Sequence, residues 1–283
     1  GPAGPAGPAG PQGPAGAQGP AGEPDTGHSR ATVDSAGSVG LYTSAAIGAD
    51  GNPVISYHDS TNGDLDVAAC DNPTCTAATI TALDPGGSVG WHTSIVIGND
   101  GNPVISYRDN TNADLKAAAC HNPTCTSAAI TTLDSTGNVG AFTSITIANN
   151  GNPVISYYDA TNGDLNVAAC NSPTCLSATL TTLDTAGNVG TSTSIVTGSN
   201  GNPVISYHDV TNGDLKLAVC DDSACTSAQT VAVDTAGDVG EASSVTIGVN
   251  GNPIIAYYDA SDQDLKVAAC NNPTCAAVTR TSI

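Results

Sequence analysis

Short apolar runs alternate with polar turns from Asp34 onward, and the whole pattern returns every 50 residues. The second copy shows it clearly. Residues 93–98 (TSIVIG) are rich in β-branched side chains and predict a first strand, followed by Asn99-Asp100-Gly101-Asn102, an Asp-Gly hairpin signal. Residues 103–109 (PVISYRD) predict a second strand, 115–120 (LKAAAC) a third and 126–133 a fourth, with Asn110–Asp114 and His121–Thr124 as the turns between them. Four strands in a repeat of 40–50 residues are the pattern of a β-propeller blade. A β-solenoid uses shorter repeats, and tandem immunoglobulin-like domains need about 100 residues each. The copies 34–83, 84–133, 134–183, 184–233 and 234–283 therefore predict an all-β fold, a five-bladed β-propeller of four-stranded antiparallel blades.

The first 24 residues follow a different rule. They form eight triplets with Gly at every first position, starting GPAGPAGPAG. Only Gly fits the crowded axis of three wound polyproline-type strands, so this period predicts an N-terminal collagen triple-helix segment. The competing reading is a disordered Pro/Gly linker. Residues 25–33 read as a polar linker. Residue 1 is not Met and no leader pattern is visible, which reads as a processed or truncated chain.

Composition narrows the function classes. The chain carries 26 acidic against 6 basic residues, a net charge of −20, which repels phosphate and argues against nucleic acid. No apolar run approaches the roughly 18 residues of a spanning helix, so no membrane insertion is expected. One Trp, one Phe and no Met leave Ala, Val, Ile and Thr to do the packing, which suits strands better than a helical bundle.

All ten cysteines lie in the repeats as C-x4-C: Cys70/Cys75, Cys120/Cys125, Cys170/Cys175, Cys220/Cys225 and Cys270/Cys275. Each pair brackets the turn between the third and fourth strands, where facing residues lie close enough for a disulfide. A bridge closing so short a loop contributes about 2 kcal/mol in the chain-entropy model. Zinc is the rival, but a structural site wants four ligands and one C-x4-C offers two. Five disulfides predict an oxidising, extracellular setting, secreted or surface-displayed.

Three aspartates recur unchanged in every copy. They are Asp34, Asp84, Asp134, Asp184 and Asp234 before the first strand; Asp59, Asp109, Asp159, Asp209 and Asp259 ending the second; and Asp64, Asp114, Asp164, Asp214 and Asp264 opening the third. The last two sets bracket turns such as Asp59-Ser60-Thr61-Asn62-Gly63-Asp64, whose hard oxygens partly match a calcium loop. The turn lacks the later bidentate Glu, and Asx turns that satisfy backbone N–H groups account for the same residues. Calcium is the single cofactor the sequence suggests; no other is implied.

Variation between copies concentrates just before the first strand, in Leu41-Tyr42, Trp91-His92, Ala141-Phe142, Thr191-Ser192 and Glu241-Ala242. The first strand of a blade is innermost, so Tyr42, Trp91, His92 and Phe142 are expected at the channel mouth. There they could stack a sugar ring, or simply fill the mouth and pack against a stalk or another subunit. A second variable position, holding His58, Arg108, Tyr158, His208 and Tyr258, is expected in the seams between blades.

By repeat number and length alone, residues 34–283 resemble small five-bladed propellers such as the tachylectin-type sugar-binding lectins, and no binding motif carries over. Residues 1–24 resemble the stalks of bacterial and phage collagen-like proteins. That resemblance implies an extracellular homotrimer.

Near-identical blades repeat one carboxylate in one environment, so nothing separates an acid from a base, and no enzyme is expected. The expectation is a non-enzymatic extracellular structural protein that trimerises through its stalk and assembles into a fibre or stalked surface appendage, with itself as partner in a homotrimer or filament. The alternative is a multivalent lectin-like adhesin for cell-surface glycans at the channel-mouth rim. Residues 31–33 (ATV) repeat the role of residues 281–283 (TSI), so one of the two tripeptides is expected to be free to pair elsewhere.

Overall fold

The computed structural model describes residues 30–282. The Gly-x-y segment 1–24, its expected triple helix and most of the linker lie outside the described residues.

Twenty strands form five four-stranded antiparallel sheets, each in sequence order. Blade one comprises β1 (Val39–Ile47), β2 (Pro53–Asp59), β3 (Asp64–Cys70) and β4 (Ala78–Asp84). Blade two comprises β5 (Trp91–Ile97), β6 (Pro103–Asp109), β7 (Asp114–Cys120) and β8 (Ala128–Asp134). Blade three has β9 (Ala141–Ile147), β10 (Pro153–Asp159), β11 (Asp164–Cys170) and β12 (Ala178–Asp184). Blade four has β13 (Val189–Thr197), β14 (Pro203–Asp209), β15 (Asp214–Cys220) and β16 (Ala228–Asp234). Blade five has β17 (Val239–Ile247), β18 (Pro253–Asp259), β19 (Asp264–Cys270) and β20 (Val278–Ser282). The first strands β1, β5, β9, β13 and β17 lie side by side in that order and line a channel. The architecture is the five-bladed propeller that the period predicts. Among the described residues no helix is long and apolar enough to cross a membrane.

Each turn is built by local chemistry. Gly98 N–H donates to the Asn102 carbonyl at 2.8 Å, and Asp100 Oδ1 accepts from Asn102 N–H at 3.0 Å, which closes the first hairpin. The turn between the third and fourth strands is closed by a disulfide in every blade: Cys70–Cys75, Cys120–Cys125, Cys170–Cys175, Cys220–Cys225 and Cys270–Cys275. Five bridges suit an extracellular or secreted protein.

Apolar clusters fill the seams between consecutive blades, one for each of the four junctions. At each junction a glycine of one blade presses on a leucine of the blade before. A Cβ added to Gly90, Gly140, Gly190 or Gly240 would meet the Cα of Leu65, Leu115, Leu165 or Leu215 at 3.0, 2.9, 2.7 and 2.8 Å. The four leucines are fully buried. Backbone bonds stitch the same places: Val89 N–H to Gly63 O at 2.9 Å, Val139 to Ala113 at 2.9 Å, Val189 to Gly163 at 2.8 Å and Val239 to Gly213 at 2.9 Å. Hydroxyl pairs follow, Thr93 to Ser56 at 2.8 Å and Thr143 to Ser106 at 2.7 Å among them. The variable pre-Asp position lies in these seams too, with His58 Nδ1 2.6 Å from Val89 O and Arg108 Nη1 donating to Val139 O at 2.9 Å.

The junction from blade five back to blade one is different. Leu265, the fifth leucine of the series, is 52% exposed where the other four are at 0%. A Cβ on Gly40 would find no heavy atom within 4 Å. Blade five also carries Ala256 where the other blades place the seam serine. The ring therefore has four packed seams and one unpacked one. Of the two tripeptides, Thr281 and Ser282 pair within blade five, opposite Val267 and Lys266. Residues 31–33 join no strand, and Thr32 and Val33 border a cavity of about 270 Å³ on the open face of blade one.

Truncating a packed seam leucine removes apolar contacts and leaves a cavity, whereas truncating an exposed one does neither. Leu165→Ala is expected to lower unfolding free energy by about 2–5 kcal/mol, and Leu265→Ala by no more than about 0.5 kcal/mol. Urea denaturation of the two variants checks this, and equal losses would mean that the fifth seam is packed in solution.

Candidate functional site

The residue pairs that vary between copies sit on a bulge. Pairing of the first and second strands shifts register between Trp91 and Ser94 in blade two, and at the equivalent place in the others. At this bulge Tyr42, His92, Phe142, Ser192 and Ala242 all take left-handed backbone, with φ of 53°, 52°, 54°, 52° and 49°. Side chains bearing a Cβ avoid that region, so five of them at one level of the channel mark strain held by the surrounding sheet. The bulge aims these side chains at the mouth of the channel, where they border a cavity of about 450 Å³ floored by Thr43, Thr93, Thr143, Thr193 and Ser243.

The four aromatic residues singled out from sequence do come together. Tyr42 lies 5.2 Å from Trp91 and 4.7 Å from His92, and His92 lies 4.8 Å from Phe142, centroid to centroid. His58 and Tyr158 extend the row at its two ends. Trp91 is held by its indole N–H, which donates to Ser88 Oγ at 2.9 Å. Burial, reinforced by Arg108, pulls the His92 imidazole down to about 4. It is neutral at pH 7 and behaves as part of an apolar wall.

Opposite this wall the mouth is acidic. A second cavity of about 480 Å³ shares Phe142, Ser192 and Ala242 with the first and is bordered by His208, Asp238 and Glu241. Glu241 is exposed. Asp238 Oδ1 lies 3.3 Å from Nε2 of His208, a buried ring of blade four whose Nε2 makes no hydrogen bond. Both acids occur in one copy only. Glu241 stands where the other copies have Leu41, Trp91, Ala141 and Thr191, and Asp238 where they have Ser38, Ser88, Asn138 and Asn188. The sequence pattern placed His208 in a blade seam only, gave Glu241 no role beyond a variable pair and left Asp238 unmarked, because the acids that repeat dominate it. The signal was the reverse: an acid present once in a five-fold repeat.

The repeating aspartates are engaged in the scaffold. Tyr57, Tyr107, Tyr157, Tyr207 and Tyr257 each donate a hydroxyl at 2.7 Å to the aspartate 23 residues earlier, Asp34, Asp84, Asp134, Asp184 and Asp234. Burial and the neighbouring carboxylate push all five phenols well above their ordinary range. Asp59, Asp109 and Asp159 each accept two backbone N–H groups and one Asn amide within their own turns, the Asx arrangement. Asp209 accepts from Asn212 N–H and Nδ2, and Asp259 from Ser261 and Asp262 N–H. Of the aspartates that open the third strands, Asp64 accepts from Gly86 N–H at 2.8 Å. Asp114, Asp164 and Asp214 are pushed up by burial and then by the second-strand aspartate of the same turn. Asp264 opens β19 at the same register. Among the described residues, no three His, Cys, Asp or Glu side chains are grouped so as to hold a metal ion.

No family model matches the chain, and no curated protein is similar to it. Solved structures share its fold. An α-L-arabinofuranosidase from Fusarium graminearum, in complex with an iminosugar inhibitor, superposes with a TM-score of 0.56 and 11% identity over 87% of this chain and 81% of that one. An endo-1,4-β-xylanase from Bacteroides thetaiotaomicron gives 0.51 and 12%, over 86% and 94%. An exo-β-1,3-galactanase from Phanerochaete chrysosporium, with galactose, gives 0.50 and 10%, over 86% and 66%.

These likenesses correct the functional expectation. The non-enzymatic structural protein, fibre or stalked appendage, and with it the lectin-like adhesin, is overturned: the three solved chains above, which share this fold, are a xylanase, an arabinofuranosidase and a galactanase. The premise of the expectation fails as well. The blades are not equivalent in their acids: Asp238 and Glu241 each occur in one copy only, and both border one cavity.

Because His92 is held neutral when folded and titrates near 6.5 when unfolded, the unfolded chain binds more protons between those values. Stability is therefore expected to fall through this group as pH drops from about 6.5 towards 4. His92→Phe is expected to lose that component, so its urea midpoint should change less between pH 7 and pH 4.5 than that of the unsubstituted chain. An identical pH dependence would contradict the burial of His92 at the mouth.

Proposed function

We propose that the channel mouth binds a neutral glycan and hydrolyses its glycosidic bond. The observation that carries this reading is the placement of two single-copy carboxylates, Asp238 and Glu241, across one continuous mouth from an aromatic row. Sugars offer C–H faces that stack on aromatic rings, and glycoside hydrolysis uses a pair of carboxyl groups flanking the scissile bond.

Phe142 and His92 take the sugar ring, and Glu241, exposed on the opposite wall, delivers a proton to the leaving oxygen. Asp238 is the second carboxylate: it takes a proton from a water that bonds to the anomeric carbon as the glycosidic C–O bond breaks and the leaving oxygen takes the proton of Glu241. The Thr and Ser hydroxyls below the bulge supply hydrogen bonds to sugar hydroxyls at the channel floor. A net charge of −20 disfavours polyanionic chains, which leaves neutral pentose and hexose polymers of the kind named for the structural neighbours: arabinofuranosides, xylan and β-1,3-galactan.

The test is reducing-sugar release from arabinoxylan, xylan and β-1,3-galactan by the full chain. The unsubstituted protein is expected to hydrolyse at least one of them, and Glu241→Gln to lower kcat by about 10²–10⁴-fold, the usual contribution of a positioned proton donor. Binding without hydrolysis, or full activity in Glu241→Gln, would overturn the assignment.

A further inference from the structure

One position in the middle of the third strand breaks the repeat in a telling way. It holds Lys116, Lys216 and Lys266 in blades two, four and five, but Asp66 in blade one and Asn166 in blade three. The five residues occupy one register, each directly opposite the conserved tyrosine of the second strand. In blades two and four the ammonium sits between two aspartates. Lys116 Nζ lies 2.5 Å from Asp84 and 3.9 Å from Asp109, and Lys216 Nζ 2.5 Å from Asp184 and 3.7 Å from Asp209. In blade five Lys266 pairs with Asp259 while Arg280 takes Asp234.

Blades one and three keep the aspartates and lose the cation. In blade three the vacated volume is a cavity of about 230 Å³ bordered by Asp134, Tyr157, Asp159 and Asn166. Asn166 is 8% exposed and its Oδ1 has no hydrogen-bond partner. In blade one Asp66 is 6% exposed and its Oδ1 is likewise without a partner. A buried polar oxygen left unpaired is costly, and these two face the place where the other blades put a positive charge.

We propose that a calcium ion stands in for the lysine ammonium in both blades, held with water in blade three by Asp134, Asp159 and Asn166 Oδ1, and in blade one by Asp59 and Asp66. Calcium takes six to eight oxygen ligands, including carboxylates, side-chain amides and water. The blade-three cavity holds the ion and several waters, each needing about 30 Å³. Charge agrees in blade one, where three carboxylates and a calcium ion sum to −1, as two carboxylates and an ammonium do in blade two; in blade three two carboxylates and a calcium ion are neutral. In blade one Asp34 is held by the Tyr57 hydroxyl at 2.7 Å and the Ala36 N–H at 3.0 Å, so it contributes charge rather than a ligand. These sites differ from the turn aspartates considered from sequence, and they do not depend on the catalytic reading of the channel mouth.

Calorimetric titration of the chelator-treated full chain with calcium chloride in 0.15 M sodium chloride tests this. Two ions per chain are expected, with a Tm rise of about 6–11 °C at free calcium tenfold above Kd. Asn166→Lys and Asp66→Lys rebuild the trio of blades two and four, and each is expected to delete one ion. The double variant should bind none, and its Tm should not respond to chelator. Asn166→Ala and Asp66→Ala serve as second variants and should also lose calcium. No heat and no Tm response in the unsubstituted chain, the same response to sodium or potassium alone, or two ions still bound by the double variant would overturn the proposal.

Discussion

A tyrosine hydroxyl buried between blades cannot stay unpaired, and in this chain it always finds the carboxylate that opens its own repeat. Tyr107 sits on β6 of blade two, while Asp84 closes β4 of blade one, so the 2.7 Å bond between them ties one sheet to the next. The same bond recurs five times. Around it lie the buried leucine, the glycine that admits it and the Val N–H that reaches back across the seam. Blade packing depends on this set, because sheets built of Ala, Val and Thr offer little apolar area and need close, directional contacts to stay in register. The unpacked junction illustrates it from the other side. Asp34 and Tyr57 are bonded, yet Leu265 is exposed and Gly40 has nothing against it, so the bond alone does not make a seam.

Repetition in this molecule builds the scaffold, and departures from repetition mark the places where chemistry gathers. Asp238 and Glu241 occur once each and border one mouth. Asp66 and Asn166 replace lysine, and each leaves a buried oxygen without a hydrogen-bond partner. Tyr42, Trp91, His92 and Phe142 fill positions where other copies are small or polar. Most of the −20 charge comes from the recurring aspartates and serves turns and seams. The acids proposed to act on substrate are a small minority of the total.

Much of the fold was legible from residues alone. Asp-Gly hairpins, PVISY-type strands and C-x4-C turns spaced 50 residues apart leave few topologies open, and the observed strands differ from the expected ones by a residue or two at their ends. The aromatic patch was legible too, since strand order places the pre-strand pairs at the channel. The acidic corner was not. It needs Asp238 on blade five, His208 on blade four and Phe142 on blade three to meet, and sequence distance says nothing about that meeting. The functional expectation failed at that point, by treating blades as equivalent when their differences face one shared cavity.

The amino-acid sequence by itself determined the strand pattern, the turns, the disulfides and the number of blades, because each rests on interactions within about 50 residues. Tertiary structure alone decided which seams are packed, which single-copy side chains share a mouth and which buried oxygens lack partners. Those depend on contacts between blades, where a residue's neighbour is set by the curvature of the ring rather than by its place in the chain.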